Sequence, residues 1–531
     1  MAFKNITALV LISGILLLTG SCKKFIDINN DPNNLTTAQL NLLLPSTEIS
    51  MVGNMYFINS GTSTIIQHAV FSSALSRFQQ TGTSFDDSWN GFYSQTLNDI
   101  ETIIKEGTKQ EQWGYVSVAK LEKAYLYSLM VDMWGKIPYT AASLGQEARS
   151  PAFEEGAGIY DKLFLLIDEA VSDAGKITST TLIPAASDVI YQGTKDSWLK
   201  MAYSLKLKMF NQIRLVDAAK ATAGIKALVA GNLINSNTRD FTFKFGTSQN
   251  PNNRHPWHRL EYQAGKTFYV SQYLVDLLFN NDDPRLRYYM YRQNAIAGLN
   301  NSSNSNGYYG RNPGDGTSVP ADQTRRTTFG IYPAGGLYDN APINNLTAAN
   351  VYLNNTNATA TLKVVSVADG TGAGIMPLIT YSMISFIRAE AALTLNTGDN
   401  AKQHFIDGVT ANLNSISTFA AANGGIAIPA ATITGFINKL MQQYDAAPDA
   451  AKKLDLVMTQ KYIALYGNGM ESYNDYRRTS LPVLRELLSP LNTFPLRLYY
   501  SQSELSTNAS VIGNASEIQT LQQTTPVFWD K

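Results

Sequence analysis

Apolar residues spaced three and four apart dominate both ends of this chain and predict helices. Gln112 to Trp134 places Val116, Ala119, Leu121, Ala124, Tyr125, Leu126 and Met130 at helical intervals and stops at Gly135. Ala157 to Ala174 sets Ile159, Leu163, Leu166, Ile167 and Ala170 on one face. Ser197 to Val216 and the shorter Lys220 to Val229 follow the same rule. Thr37 to Gln80 carries it through Leu40, Leu43 and Leu44, then through Ile65, Ile66, Ala69, Val70, Phe71 and Leu75, with Pro45 expected to break the two. Asp86, Asp87 and Ser88 read as caps for a helix beginning near Trp89 and carrying Phe92, Tyr93, Leu97, Ile100 and Ile104. Trp89 and Tyr93, one turn apart, read as core and only in reserve as a binding surface.

Pro377 to Asn396 is again helical, and Gly398-Asp399 is a turn. Ala389, Ala401, Phe405 and Gly408 then fall at intervals of 12, 4 and 3, the register in which small and aromatic residues pack the two helices of a tetratricopeptide repeat. Helix pairs bury a continuous core only when stacked. The expected fold is therefore mainly α: a right-handed stack of tetratricopeptide-like hairpins over about 37–235 and 377–478, with a tail over 479–531.

The pattern changes between Arg239 and Ala373, where Asn, Gly, Ser and Tyr replace helical spacing. Phe241, Phe243 and Phe245 alternate with polar residues and predict a short strand. Asn250 to Arg259 reads as a loop with Trp257 at its tip, Thr267 to Asn280 as a helix, and Asn294 to Arg311 as a loop holding Tyr308 and Tyr309. Gly330 to Asn340 adds Tyr332 and Tyr338. So long an irregular stretch, rich in aromatics, is expected to pack against the helices and to carry function over about 239–373.

The amino terminus differs from all of this. Lys4 and the apolar run Ile6 to Leu18 form an export signal; about 13 residues are too few to cross a ~30 Å hydrocarbon core as a helix. Gly20 and Ser21 precede Cys22, the one cysteine of 531 residues, which resembles a lipobox although Thr19 stands where Leu is usual. The expectation is a cleaved leader over 1–21, lipid on the thiol and amine of Cys22, an extended tether over 22–36, and a single domain over 37–531. With the thiol acylated no disulfide can form.

Charge narrows the partners. Lys plus Arg is 42 and Asp plus Glu is 42, and a chain without a positive field does not fit nucleic acid. Its neutral, polar surface suits uncharged polar ligands. Catalytic chemistry is sparse. Of four histidines, His255 and His258 stand three apart, but no Cys or carboxylate cluster completes a metal site. No nucleophile elbow or phosphate loop occurs. The adjacent carboxylates Asp86-Asp87, Glu154-Glu155 and Asp282-Asp283 read as caps rather than as a pair flanking a glycosidic bond. No catalytic residue, metal or cofactor is assigned.

The carboxyl-terminal stretch is the most distinctive. Gln460-Lys461-Tyr462 near a helix end, the turn at Gly467 to Gly469, and Glu471-Ser472-Tyr473-Asn474-Asp475-Tyr476-Arg477-Arg478 lead to Arg497, Tyr500-Ser501, Glu504 and Asn508. With Cys22 and its following Asp31-Pro32-Asn33, Asp283-Pro284-Arg285 and Phe386 to Ala391, this series resembles the SusD/RagB family of outer-membrane nutrient-binding lipoproteins. Tyr462 replaces the family's usual Trp, and Ser501 its usual Pro. Arg477, Arg478 and Arg497 are expected to pair with Glu471, Asp475 and Glu504 and lock the tail to the helices, and Arg388 and Glu390 to act likewise. The resemblance implies a lipid-anchored protein at the cell surface that captures nutrient and forms a lid on a SusC-like TonB-dependent transporter. It implies oligosaccharide ligands, or peptides in some members. Sugar rings stack on flat aromatic rings and their hydroxyls pair with amides, carboxylates and guanidinium groups. Trp257, Tyr308, Tyr309 and Tyr338 are the candidate platform, with Asn253, Arg311 and Asp339 as polar partners; the competing reading of each ring is local loop packing. A surface glycosidase and a protein-binding scaffold are the other functions weighed.

Overall fold

The structure is a computed structural model that describes residues 39–71, 80–263, 265–293, 307–315, 321–341, 362–488, 493–511 and 514–531. The leader 1–21, Cys22, the tether 22–36 and Leu75 lie outside the described residues.

Helices pack pairwise in succession. Helix α1 is Leu40–Ile65, α2 is Asp86–Gly91, and a π-turn over Phe92–Thr96 joins it to α3, Leu97–Lys109. Next come α4 (Trp113–Trp134), α5 (Gly156–Gly175), α6 (Lys195–Gln212) and α7 (Ala218–Leu228). Helix α4 is buried around nearly its whole circumference, so it lies in the interior, flanked by α3 and α5. The Ser117 hydroxyl on α4 donates to the Ala170 carbonyl of α5 at 2.8 Å. Gly135 ends α4 at φ +86°, a conformation that side-chain-bearing residues rarely adopt. Helix α5 buries Ile159, Leu163, Ile167 and Ala170, the stripe its spacing predicts.

The central region supplies strands and short helices: β1 (Ala69–Phe71), β2 (Phe241–Lys244), α8 (Pro256–Glu261), β3 (Phe268–Val270), α9 (Gln272–Asn280), α10 (Leu286–Tyr289), β4 (Met290–Tyr291), β5 (Thr328–Phe329) and β6 (Ile375–Ile379). They form three antiparallel pairs, β1 with β3, β2 with β6 and β4 with β5. The carboxyl-terminal helices are α11 (Tyr381–Leu395), α12 (Ala401–Ala422), α13 (Ala430–Ala446), α14 (Ala450–Ala464), α15 (Gly469–Thr479), α16 (Gln502–Thr507) and α17 (Ala515–Thr524). Thr380 caps α11 and Asn400 caps α12 through side-chain oxygens. At the α11–α12 crossing Gly408 faces the Phe386 ring so closely that an added Cβ would lie 3.0 Å from it. That contact gives the repeat-like spacing its physical meaning. The molecule is mainly helical, as its periodicity predicts.

Local readings fail at four places. Pro45 does not break the first segment; it lies early in α1, which continues through it. Ala69, Val70 and Phe71 form β1 rather than helix, because Phe268, Tyr269 and Val270 offer a partner edge. Those same residues are therefore β3 and not the start of the helix expected from Thr267. Trp257 lies on α8, where Pro256 opens the helix and His255 Nδ1 accepts from the Trp257 N–H at 3.1 Å.

Buried charge ties the two helical sets together. Glu390 on α11 receives the Arg478 guanidinium at 2.9 and 3.0 Å, with Arg214 at 2.9 Å and Lys461 at 3.4 Å. Asp132 on α4 receives Tyr160 at 2.5 Å, Trp529 at 2.9 Å, Asn474 at 3.1 Å and Lys208 at 3.2 Å. Arg478 also reaches Asp475, as expected. Arg477 instead donates to the Asp132 and Leu496 carbonyls, and Glu471 pairs with Lys208. Glu504 receives the Asn508 side chain. Arg388 binds Asp399 through both oxygens.

Helix α15 meets α1 at close range. The Gly469 N–H donates to Asn59 Oδ1 at 2.7 Å, and Asn59 Nδ2 donates to the Gly467 carbonyl at 3.0 Å. An added Cβ at Gly469 would fall 2.5 Å from the Ser63 nitrogen and 2.8 Å from the Asn59 carbonyl. Gly469→Ala is therefore expected to cost about 1–3 kcal/mol, read from the urea midpoint, because backbone on both sides must move.

Candidate ligand-binding cleft

A cleft of about 740 Å³ opens between α1 and the start of the irregular region. That volume lies within the range of small-ligand sites, about 300–1,000 Å³. One wall is a face of α1: Ile49, Val52, Gly53, Tyr56 and Phe57 stand at i, i+3, i+4, i+7 and i+8. The opposite wall is Phe243 to Gly246, Asn252 to Trp257, Arg259 and Leu260, and Val189 and Met376 also line the cleft.

The apolar walls are built of rings. Phe243 meets Phe245 at 5.1 Å, Phe245 meets His255 at 4.8 Å, and His255 meets Trp257 at 5.8 Å between centroids. Trp257 stacks on Phe329 at 4.5 Å, which fixes the inner end of the row. Phe57 is 44% exposed and Ile49 55%, so α1 turns apolar surface outward here while Met51, Met55 and Ile58 are buried. Burial pushes the His255 imidazole down to about 3, with His258 adding to the effect, so the ring stays neutral.

The polar rim comes from a tight turn. The Gly246 N–H donates to the Asn253 carbonyl at 2.9 Å, and Asn253 Oδ1 accepts from the Ser248 N–H at 2.9 Å. Arg254 is spent on Asn252 Oδ1 at 3.2 Å and the Val367 carbonyl at 2.9 Å. Asn252, Asn253, Lys244 and Arg259 are exposed at the lip. Rings below and amides above can stack and hydrogen-bond a polar, ring-shaped solute.

Of the seven expected platform residues, Asn253 and Trp257 line this cleft, although Trp257 is almost wholly buried. The other five do not. Tyr308 is buried beneath the Arg292 guanidinium at 4.7 Å, and Asp339 is buried in an ion pair with the same Arg292 at 2.7 Å. Arg311 is buried, paired with Asp315 at 3.2 Å and lying over Tyr269. A ring or charge enclosed in this way presents no face to a solute, so these three are corrected from surface to core. Tyr309 and Tyr338 are half-buried, against Arg326 at 4.4 Å and Tyr288 at 4.9 Å. Trp89 is buried against Trp134 at 5.1 Å, and the Tyr93 hydroxyl donates to the Pro138 carbonyl at 2.8 Å. The lining residues not named as site residues from sequence include Phe245, Asn252, Lys244 and Arg259 and, on α1, Ile49, Val52, Tyr56 and Phe57. The signal for those on α1 was present: α1 carries more apolar positions than one buried stripe needs.

His258 Nε2 lies 2.7 Å from the Asp369 carbonyl, and His255 caps α8. Among the described residues no group of three or more His, Cys, Asp and Glu is placed to hold a metal ion, and no helix is long and apolar enough to cross a membrane.

The molecule is a stack of helix pairs bearing a ring-lined, amide-rimmed cleft. The chain belongs to the SusD-like family, described as starch-binding and associating with the outer membrane, which it matches over residues 32–501. Solved structures agree in fold. A chitin-binding protein is 20% identical, with a TM-score of 0.70 over 93% of this chain and 100% of that one. A SusD/RagB family protein from Bacteroides thetaiotaomicron is 21% identical, with a TM-score of 0.69 over 93% and 99%. A chitin-binding SusD homolog from Flavobacterium johnsoniae is 19% identical, with a TM-score of 0.67 over 92% and 98%. No curated protein matches the sequence.

Proposed function

We propose that this protein is a cell-surface lipoprotein, held to the outer membrane by lipid on Cys22, that binds nutrient oligosaccharides and passes them to a SusC-like TonB-dependent transporter. Binding is reversible, and no bond in the ligand is broken. The observation that carries the reading is the cleft between α1 and the Asn252–Leu260 wall, in a family described as starch-binding. Sugar rings lie on Phe57 and Phe245, and their hydroxyls meet Asn252 and Asn253. Trp257 backs the rings from below, and Tyr309 and Tyr338 lie outside the cleft.

Phe57→Ala with Phe245→Ala tests this. Each ring is expected to contribute about 1–2 kcal/mol through buried apolar area, so the double variant loses about 30-fold or more in affinity by calorimetric titration. Both rings are partly exposed, so the fold is retained. Unchanged affinity in a folded double variant would remove the cleft from consideration. Product formation from a bound oligosaccharide would replace the binding reading with hydrolysis.

A further inference from the structure

We propose that the cleft selects saccharides bearing carboxylate groups, with Lys244 and Arg259 reading the charge. This rests on the cleft being the saccharide site. The chain balances 42 basic against 42 acidic residues, yet the described cleft lining holds Lys244, Arg254 and Arg259 and no Asp or Glu. Elsewhere surface cations commonly face a carboxylate: Lys162 meets Glu154, Lys206 meets Asp168, Lys402 meets Asp445, and Arg485 meets Asp276. Arg254 is held by Asn252 and the Val367 carbonyl. Lys244 and Arg259 are exposed and have neither a hydrogen bond nor an ion pair from their side chains to any described residue. Two uncommitted cations thus stand on the lip of one concavity whose walls are apolar.

Chemistry favours a uronic acid as their partner. A pyranose ring offers C–H faces to Phe57 and Phe245, while its carboxylate projects from the ring edge toward the rim. The Arg259 guanidinium can take a carboxylate through two parallel N–H bonds, and Lys244 supplies a compact point charge beside it. Apolar walls lower the local dielectric and strengthen both attractions relative to open water. A neutral sugar makes the ring contacts and leaves the cations to solvent.

The test titrates the purified protein with hexamers of galacturonate and of mannuronate, each as the free acid and as its methyl ester, alongside neutral chitin and starch hexamers. The ester has the same rings and length without charge. The expected result is that a free acid binds about tenfold or more tightly than its ester at low salt. That advantage disappears at high salt and in Lys244→Met with Arg259→Gln, while ester affinity in the variant is unchanged. Equal affinity for acid and ester, or binding of the neutral hexamers alone, overturns charge selection and leaves the cleft reading standing. An acid preference that survives in the double variant overturns the assignment to Lys244 and Arg259. Failure of all six ligands overturns the saccharide reading itself.

Discussion

Glu390→Ala is expected to destabilise the fold by about 3–5 kcal/mol, the usual cost of orphaning buried partners. Burial alone would raise this carboxyl, but Arg478, Arg214 and Lys461 outweigh it and hold the group well below the usual carboxylate range. Removing the carboxylate leaves those three cations facing one another, with Asp475 beside Lys461 and Arg478. The Asn211 amide would also lose its acceptor. Glu390→Gln keeps an oxygen for these donors and loses the charge, so its cost should be intermediate. The sign with pH follows from the depressed value. The contribution is complete above the ordinary value of 4.5 and is lost as pH falls below it. The gap between wild-type and variant urea midpoints should therefore begin to narrow below about pH 4.5 as pH is lowered toward 3. Equal midpoints at neutral pH would show that the cations are balanced by other groups.

The opposite sign is expected at a second buried cluster. Glu48, Glu122 and Asp188 lie together, and among the described residues no basic side chain is hydrogen-bonded or ion-paired to any of them. Asp188 is well supplied, accepting from the Ile190, Tyr191 and Gly193 N–H groups and from Trp198 Nε1 at 2.7 Å. Glu48 accepts from the Val189 N–H at 2.7 Å and Glu122 from the Thr47 hydroxyl at 2.7 Å. Burial first, and the neighbouring carboxylates next, raise Glu48; burial and Asp188 raise Glu122. A carboxyl raised in the folded state stabilises below its unfolded value, and that stability is lost as pH climbs through the folded value. Stability should decline from about pH 4.5 toward alkaline pH. Glu48→Gln with Glu122→Gln should flatten that decline and add about 2 kcal/mol or more at pH 8, since each tenfold difference in proton affinity between folded and unfolded chains is worth about 1.4 kcal/mol. Thermal melts across pH 5–9 would check it, and a double variant with an unchanged pH slope would refute it.

The helices were legible because burial on one face imposes a period that the sequence must keep. The Ala389, Ala401, Phe405 and Gly408 register goes further, since Gly408 is small only because Phe386 lies against it. The arginines of the tail were legible as lock components, but their partners were not. Arg478 finds Glu390, 88 residues away, and Asp132 collects residues from α5, α6, α15 and the last turn of the chain. Spacing along the chain carries no record of such meetings. The cleft was half-legible for the same reason. Asn253 and Trp257 were named from a loop rich in turn formers, while the wall they face comes from α1, some 200 residues earlier. Tyr308, Arg311 and Asp339 look like surface residues in a Gly- and Asn-rich sequence. In the fold, Arg292 and Asp315 enclose them, and only the tertiary pairing reveals that.

The Asn59 clasp on Gly467 and Gly469 joins positions 408 and 410 apart in sequence. Contacts of such separation are closed late, because chain entropy must be surrendered before they form. Elements near α1 in sequence, α2, α3 and α4, cover part of it, and the clasp adds α15 from the far end of the chain.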